Sequence, residues 1–363
     1  RRMAPDAVIV ATGCYAQLRP QQLADIEGVD MVLGNAEKFQ LPDYLAHYVP
    51  GKGPEIARQS FKTLTTYHGA HSTTGRTRSF LKIQDGCDHW CTYCTIPMAR
   101  GRSRSQSIAE LVREAREIAA AGYKEVVLTG VNVADFGKST GENLADLMEA
   151  LELVEIPRYR ISSMEPELIH DRIIERIAHS SRFLPHFHVP LQSGSNIILK
   201  KMRRRYTREL FADRITQIRK HIPDAFIGVD VITGFPGETR AHFDETYRFL
   251  EGLPVSFLHV FSYSDRPGTQ SEKMGEKVSG PEMKYRSALL QELAAQKQQK
   301  FYQEQQGTVR QVLFEHQKHQ DRMFGFTENY IKTAIPYDAE NANQIIPVRL
   351  NRMLEDGTYI VEW

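Results

Sequence analysis

The sequence predicts an α/β protein built on an open, partial barrel of six strand–helix units, preceded by an α/β fragment and followed by a small all-β barrel. Three observations carry this. Between residues 79 and 306, short apolar runs of strand length alternate six times with helical stretches, a pattern that means parallel strands with right-handed crossovers. Six units fall short of the eight that close the common barrel, so the sheet stays open, with its site expected at the C-terminal ends of the strands. Beyond residue 307 the helical period gives way to short strands and turn residues.

Residues 1–58 carry a strand-like run at Val8–Ala11, a Gly13-Cys14 turn, a helix from Pro20 and a strand at Val29–Leu33. The opening Arg1-Arg2-Met3 runs almost at once into apolar sequence, like the middle of a domain, so an upstream segment is expected. Residues 59–78, rich in Gly, Ser, Thr and Arg, predict a linker with one strand near Ser60–Thr66. Residues 79–306 form the barrel. Its predicted strands are Phe80–Gln84, Val126–Thr129, Tyr159–Ser162, Phe187–Leu191, Phe226–Thr233 and Phe257–Tyr263. The first helix opens on the capping box Ser107–Glu110 and ends at Gly122, and Pro281 can start the last. In residues 307–363, Val309–Phe314, Gly325–Ile331, Ile345–Leu350 and Tyr359–Val361 read as strands of a five-stranded, OB-like barrel.

The bulk of the 363-residue chain is ordinary: 41% apolar, 25% charged, net charge +1. No apolar run is long enough for a membrane helix and no signal peptide is read at the start, so a cytoplasmic location is expected. The near-zero charge gives no global field, so nucleic acid must be held by local basic patches. There are four cysteines, three of them within eight residues. That is no disulfide framework; clustered thiols argue for metal chemistry in a reducing compartment.

Gly86-Cys87-Asp-His-Trp-Cys91-Thr-Tyr-Cys94 has C-x3-C-x2-C spacing directly after the first barrel strand. Thiolates hold iron–sulfur clusters, and three of them leave one iron of a four-iron cubane without a protein ligand. The open iron can chelate S-adenosylmethionine through its amino and carboxylate groups. Zinc on three thiolates plus His89 would strain a tetrahedron, because His89 lies between two of the cysteines. A ferredoxin-type cluster would want a fourth nearby cysteine.

The loop resembles that of the radical S-adenosylmethionine (SAM) superfamily, and Thr95-Ile-Pro97-Met-Ala-Arg100-Gly101-Arg-Ser-Arg-Ser narrows the likeness to the methylthiotransferases. Arg160-Ile-Ser-Ser-Met-Glu165-Pro166, His188-Val-Pro-Leu-Gln192-Ser-Gly194-Ser195 and Gly234-Phe-Pro-Gly237-Glu238-Thr239 agree. Arg203-Arg-Arg-Tyr206-Thr207 and Leu258-His-Val-Phe-Ser-Tyr263-Ser are most like the MtaB type, which acts on N6-threonylcarbamoyladenosine-37 in tRNA. The MiaB type, acting on N6-isopentenyladenosine, is the alternative within the family. The resemblance implies a radical SAM partial barrel with a TRAM domain, a [4Fe-4S] cluster on Cys87, Cys91 and Cys94, and S-adenosyl-L-methionine. It implies the anticodon stem-loop of tRNA as substrate and a flavodoxin or ferredoxin as electron donor, with neither membrane nor DNA as partner.

By the same resemblance, the cofactor meets Tyr93, then Thr129, Gly130 and Asn132 after the second strand, Glu165 and Gln192 after the third and fourth, and Ile232 and Gly234 on the fifth. Asp230 on that apolar strand is costly to bury without a partner, which hints at a polar role. Cys14, in Gly13-Cys14-Tyr-Ala-Gln17, resembles one of three ligands of a second cluster. The other two are absent from this sequence, so one cluster is expected in the chain as written. Arg100, Arg203, Arg204 and Arg205, with Arg349 and Arg352 in the last module, are the candidate RNA contacts. A non-catalytic iron–sulfur RNA-binding scaffold is the alternative outside enzymology.

Overall fold

The computed structural model describes residues 4–72 and 75–362. Arg1-Arg2-Met3, on which the expected upstream segment rests, and Thr73 and Thr74 of the linker lie outside the described residues.

The first unit is a parallel three-stranded sheet, β1 (Val10–Thr12), β2 (Met31–Leu33) and β3 (Glu55–Ala57), in that order. It carries α1 (Cys14–Leu18), α2 (Pro20–Ala24) and α3 (Leu41–Ala46). The strand expected near Ser60–Thr66 does not form. Phe61–Thr63 is a 3-10 turn, because Ser60 Oγ accepts from Lys62 N (3.4 Å) and so offers the backbone a local partner in place of a ladder. The strand comes earlier, as β3.

The central unit begins with β4 (Ser79–Lys82) and β5 (Gln84–Asp85), followed by α4 (Ile96–Arg100), β6 (Arg104–Ser105) and α5 (Ile108–Ala120). It continues through β7 (Glu125–Thr129), α6 (Leu144–Glu152), β8 (Arg158–Ile161), α7 (Asp171–His179) and β9 (His186–Gln192). Then come α8 (Asn196–Lys201), α9 (Arg208–His221), β10 (Phe226–Thr233), α10 (Arg240–Gly252), β11 (Phe257–Ser262) and α11 (Gly280–Glu304). Strands β4, β7 and β8 pair in parallel, as do β9, β10 and β11. A parallel bridge Ser163–His188, with Met164 N donating to His188 O (3.0 Å), links the two halves. The six strands thus follow chain order, as the alternating sequence predicts. The helix-facing side is fully apolar, with Val126, Leu128, Ile227, Val229 and Val231 buried against residues such as Leu111, Ile118 and Leu147.

The last unit is a closed barrel of β12 (Val309–His319), β13 (Arg322–Thr327), β14 (Lys332–Pro336), β15 (Ile345–Met353) and β16 (Tyr359–Glu362). The strand expected at Gly325–Ile331 ends at Thr327 in β13, and residues 328–331 form the turn that leads to β14. Thr327 Oγ1 donates to Asn329 Oδ1 (2.7 Å) and accepts from Ile331 N (2.8 Å), and Tyr330 has φ 67. These bonds turn the chain where β-propensity alone would continue it.

This barrel closes the N-terminal ends of the central strands. Glu125, at the start of β7, is fully buried among Arg78, Arg158 and Arg160. Arg158 donates to Gln311 O (2.7 Å), and Arg160 to Thr327 O and Glu328 O. The opposite, C-terminal ends of the strands are left for the site.

Candidate active site

Three constraints shape the cysteine loop. Gly86 takes φ 73, and a Cβ there would lie 2.0 Å from Arg102 O, so only glycine fits. Cys87 N donates to Gly101 O (3.1 Å) beside the β5–β6 hairpin. Thr92 N and Oγ1 donate to Met202 O (3.1 Å) and Lys201 O (3.0 Å), fastening the loop to the end of α8.

None of the three sulfurs is in a disulfide, and each accepts an N–H: Cys87 from His89 N (3.3 Å), Cys94 from Ile96 N (3.4 Å) and Cys91 from Arg204 Nη1 (3.1 Å). Burial pushes the Cys87 thiol up to about 12 and Cys94 to about 11, and raises Cys91 as well. Left alone these thiols stay protonated; metal binding deprotonates them, and the three N–H donors then face thiolates. The donor set therefore fits an iron–sulfur cluster. It does not favour zinc, since His89 Nδ1, the further ligand zinc would need, faces Glu167 Oε1 (3.6 Å) and lies in a group with Glu165 and Glu167, not with the sulfurs.

Around the loop the structure gathers much of the predicted constellation. Tyr93 and Ile232 share an apolar wall with Ile198, Met202 and Phe235. Thr129 Oγ1 donates to Leu81 O (3.3 Å), tying β7 to β4. Gly130 owes its missing side chain to Gln84, whose Oε1 would lie 2.9 Å from a Cβ and accepts from Val131 N (2.9 Å) and Asn132 N (3.0 Å). Asn132 Oδ1 accepts from Glu165 N (3.4 Å), while its Nδ2 is buried without a partner, a donor left over for a ligand. Glu165 is pushed up to about 7 by burial, which outweighs its ion pair with Arg204. Gln192 takes φ 68 where the β9–β10 register shifts, so the strand end is kinked at the site. Gly234 takes φ 79, with Met283 2.8 Å from where a Cβ would stand. Asp230 has found its partner: its Oδ1 pairs with His188 Nε2 (2.6 Å), whose Nδ1 meets Ser163 Oγ (2.9 Å).

The basic residues divide. Arg203, Arg205, Arg349 and Arg352 are exposed. Arg204 is not an RNA contact. Its side chain is 3% exposed, paired with Glu165, bonded to Cys91 and stacked on Tyr206 (5.0 Å), so no phosphate can reach it. Arg100 is half-buried, with Nη1 on Asp85 Oδ1 (3.0 Å) and Nε on Cys14 Sγ (3.3 Å). Sequence reasoning missed Gln84, His188 and the inward turn of Arg204. His186 and His188, on alternate positions of an apolar strand, were the available signal for His188. In the run of three arginines nothing marks the middle one.

The Radical SAM superfamily model matches residues 81–250. The threonylcarbamoyladenosine tRNA methylthiotransferase MtaB of Bacillus subtilis is 37% identical over 358 residues, covering 96% of this chain and 79% of that protein. The chain belongs to the MtaB family of radical SAM methylthiotransferases. The Aquifex aeolicus MtaB is 40% identical, covering 91% of this chain and 80% of its own length. A tRNA-2-methylthio-N(6)-dimethylallyladenosine synthase of Staphylococcus saprophyticus is 33% identical over 86% of this chain and 62% of that protein. Among solved structures, the radical SAM methyltransferase TsrM of Kitasatospora setae superposes with TM-score 0.56 at 16% identity, over 72% of this chain and 56% of that one, a likeness of fold alone. The family's cofactors are a [4Fe-4S] cluster and S-adenosyl-L-methionine, which together supply one-electron reductive cleavage of a sulfur–carbon bond.

Proposed function

We propose that this chain is a tRNA methylthiotransferase that replaces the C2 hydrogen of N6-threonylcarbamoyladenosine-37 with a methylthio group. The observation that carries it is identity of 35–40% to four MtaB proteins along 90–97% of the chain, against 31–33% to the dimethylallyladenosine synthases. The buried three-cysteine loop at the strand ends supports the chemistry.

Cys87, Cys91 and Cys94 would hold the cluster that binds S-adenosylmethionine, and Cys14 one corner of a second. Glu165 offers an acceptor and Asn132 Nδ2 a donor, as a zwitterionic amino-acid group requires. Tyr93 and Ile232 would supply apolar surface for the adenine, beside the backbone of Thr129, Gly130, Gln192 and Gly234. Asp230 acts one layer below, by fixing His188. The closed barrel would be a TRAM module that meets the anticodon stem-loop through Arg349 and Arg352, with Arg203 and Arg205 nearer the cluster loop. A flavodoxin or ferredoxin would deliver electrons. No helix among the described residues is long and apolar enough to cross a membrane, in keeping with work on tRNA in the cytoplasm.

The test offers the anaerobically reconstituted enzyme tRNAs carrying threonylcarbamoyl- or isopentenyladenosine and measures nucleosides by mass. Methylthio product from the threonylcarbamoyl tRNA is expected; product from the isopentenyl tRNA alone would refute the substrate. Cys87→Ala should lose the SAM-binding cluster and all 5′-deoxyadenosine formation, whereas a scaffold would release none even as wild type.

A further inference from the structure

The first unit and the central barrel meet around a single carboxylate. Asp85 takes Arg100 Nη1 on Oδ1 (3.0 Å) and Arg104 Nη2 on Oδ2 (3.0 Å), and Lys82 Nζ stands 3.8 Å from Oδ2. Lys38 approaches from the first unit. Its Nζ donates to Asn35 Oδ1 (3.3 Å), while Asn35 Nδ2 reaches across to Ala99 O (2.7 Å) and so fixes Lys38 against the barrel. Four cations face one carboxylate.

The two arginines are committed, Arg104 also to the carbonyls of Thr66, Arg100 and Arg102. The two lysines are not. Lys38 meets a neutral amide and the Phe39 ring (5.0 Å), and Lys82 the Tyr67 ring (4.8 Å) and the distant edge of Asp85. Burial first, and neighbouring cations, hold both ammonium groups below the ordinary lysine range, although Asp85 pulls the other way. Half-buried positive charge in such excess is costly unless an anion completes it. The place is also informative. Lys82 ends β4, five residues before Cys87, and Arg100 joins the cluster to Cys14. An anion here would lie beside Arg100, which links Asp85 to Cys14.

We propose that Lys38 and Lys82 form the subsite for the carboxylate of the substrate's N6-threonylcarbamoyl arm. This rests on the substrate assignment above and names the residues that would enforce it. An isopentenyl arm has no anion to offer, and would leave both cations unpaired at a desolvated contact, so discrimination follows from what the wrong substrate fails to satisfy. The shared chemistry is an anionic oxygen group, and a backbone phosphate of the same RNA is its other source.

The experiment measures binding of fluorescent anticodon stem-loops to the reconstituted protein without S-adenosylmethionine, so that no turnover intervenes. The loops carry threonylcarbamoyladenosine, its threonyl methyl ester, or unmodified adenosine. Wild type should prefer the acid over both others by about tenfold, the size of one charge-assisted contact. Lys38→Met and Lys82→Met should each lose most of that preference while binding the unmodified loop as wild type does. If wild type shows no preference for the acid over unmodified adenosine, the substrate assignment fails. If the preference exists and survives in both variants, or if the ester binds wild type as tightly as the acid, the subsite is elsewhere. Equal weakening on all three loops would mean a phosphate contact and would also overturn it. The ester comparison needs no altered protein, so a variant that misfolds does not shield the proposal.

Discussion

The guanidinium of Arg204 joins the Cys91 thiol to a largely buried acid: Nη1 donates to Cys91 Sγ across 3.1 Å, and Nη2 is paired with Glu165. Both side chains are largely out of solvent, at 3% and 13% exposed. Removing one member of such a pair leaves the other uncompensated, at a cost of about 3–5 kcal/mol. Arg204→Leu should lower folding stability by roughly that amount in denaturant titrations. Because Glu165 already lies near 7 through burial, losing Arg204 pushes it higher, and the acid protonates. Arg204→Leu with Glu165→Gln should recover much of the stability, though not cofactor binding. A loss below about 1 kcal/mol in the single variant, within the range of an exposed pair, would show that the pair is structurally idle.

The thiols make a prediction in pH. With Cys87 near 12 and Cys94 near 11, the cluster-free protein should alkylate slowly at both positions at pH 8. At Cys94 the thiolate fraction is then on the order of one in a thousand. Each thiol must lose its proton to bind iron, so assembly releases protons and strengthens as pH rises towards the folded values. The sign for stability is opposite. The unfolded thiols ionise near 9.0, while the folded ones hold their protons to about 11–12, so the unbound fold loses stability across that window and nothing below it. Mass spectrometry after timed alkylation checks this; rapid labelling of Cys87 at pH 8 would contradict it.

The contrast between Cys91 and Arg204 shows what the sequence could say. The spacing of Cys87, Cys91 and Cys94 specifies chemistry directly, because a loop of that length has few other uses. The strand–helix alternation likewise specifies a parallel partial barrel, since apolar strands covered by helices leave few other packings. Arg204 lies in a run where all three residues share charge and length, and only the turn at Arg203, with φ 59, sends the middle one inward. The turn that ends β13 at Thr327, short of the expected Ile331, was hidden for a similar reason: the Thr327–Asn329 side-chain hydrogen bond overrides a β-rich composition. Lys38 and Lys82 could not be paired from sequence, because they come from two units 44 positions apart.

The closed barrel completes the base of the central one. Glu125 is balanced by Arg78, Arg158 and Arg160; Arg158 and Arg160 are themselves satisfied by Gln311, Thr327 and Glu328 of the last unit, and Arg78 pairs with its Glu315. Phe226 at the start of β10 packs edge-on to Phe301 (5.6 Å) and beside Tyr330 (5.7 Å). Removing residues 307–363 would therefore expose a charged, half-satisfied base and an aromatic cluster. The truncated protein should unfold at lower denaturant and lose cluster retention with it. Unchanged stability on truncation would show that the two units are independent, and would restore deletion as a clean test of RNA binding.

Since deletion confounds folding with RNA affinity, surface charge is the better probe of the last unit. Arg349 and Arg352 are exposed on β15, whereas Arg310 is paired with Asp224 and Glu328 and is largely buried. A phosphate contact reveals itself through counterion release: each one adds about 0.7 to the slope of log affinity against log salt for single-stranded nucleic acid. If both exposed arginines meet the stem-loop, Arg349→Gln with Arg352→Gln should flatten the slope by about 1.4, with thermal stability within about 0.5 kcal/mol of wild type. Arg310→Gln should do the reverse, lowering stability through its lost ion pairs while leaving the slope alone. An unchanged slope in the double variant would move the RNA off this face, and leave Arg203 and Arg205 beside the cluster loop as the remaining basic contacts of the proposed set.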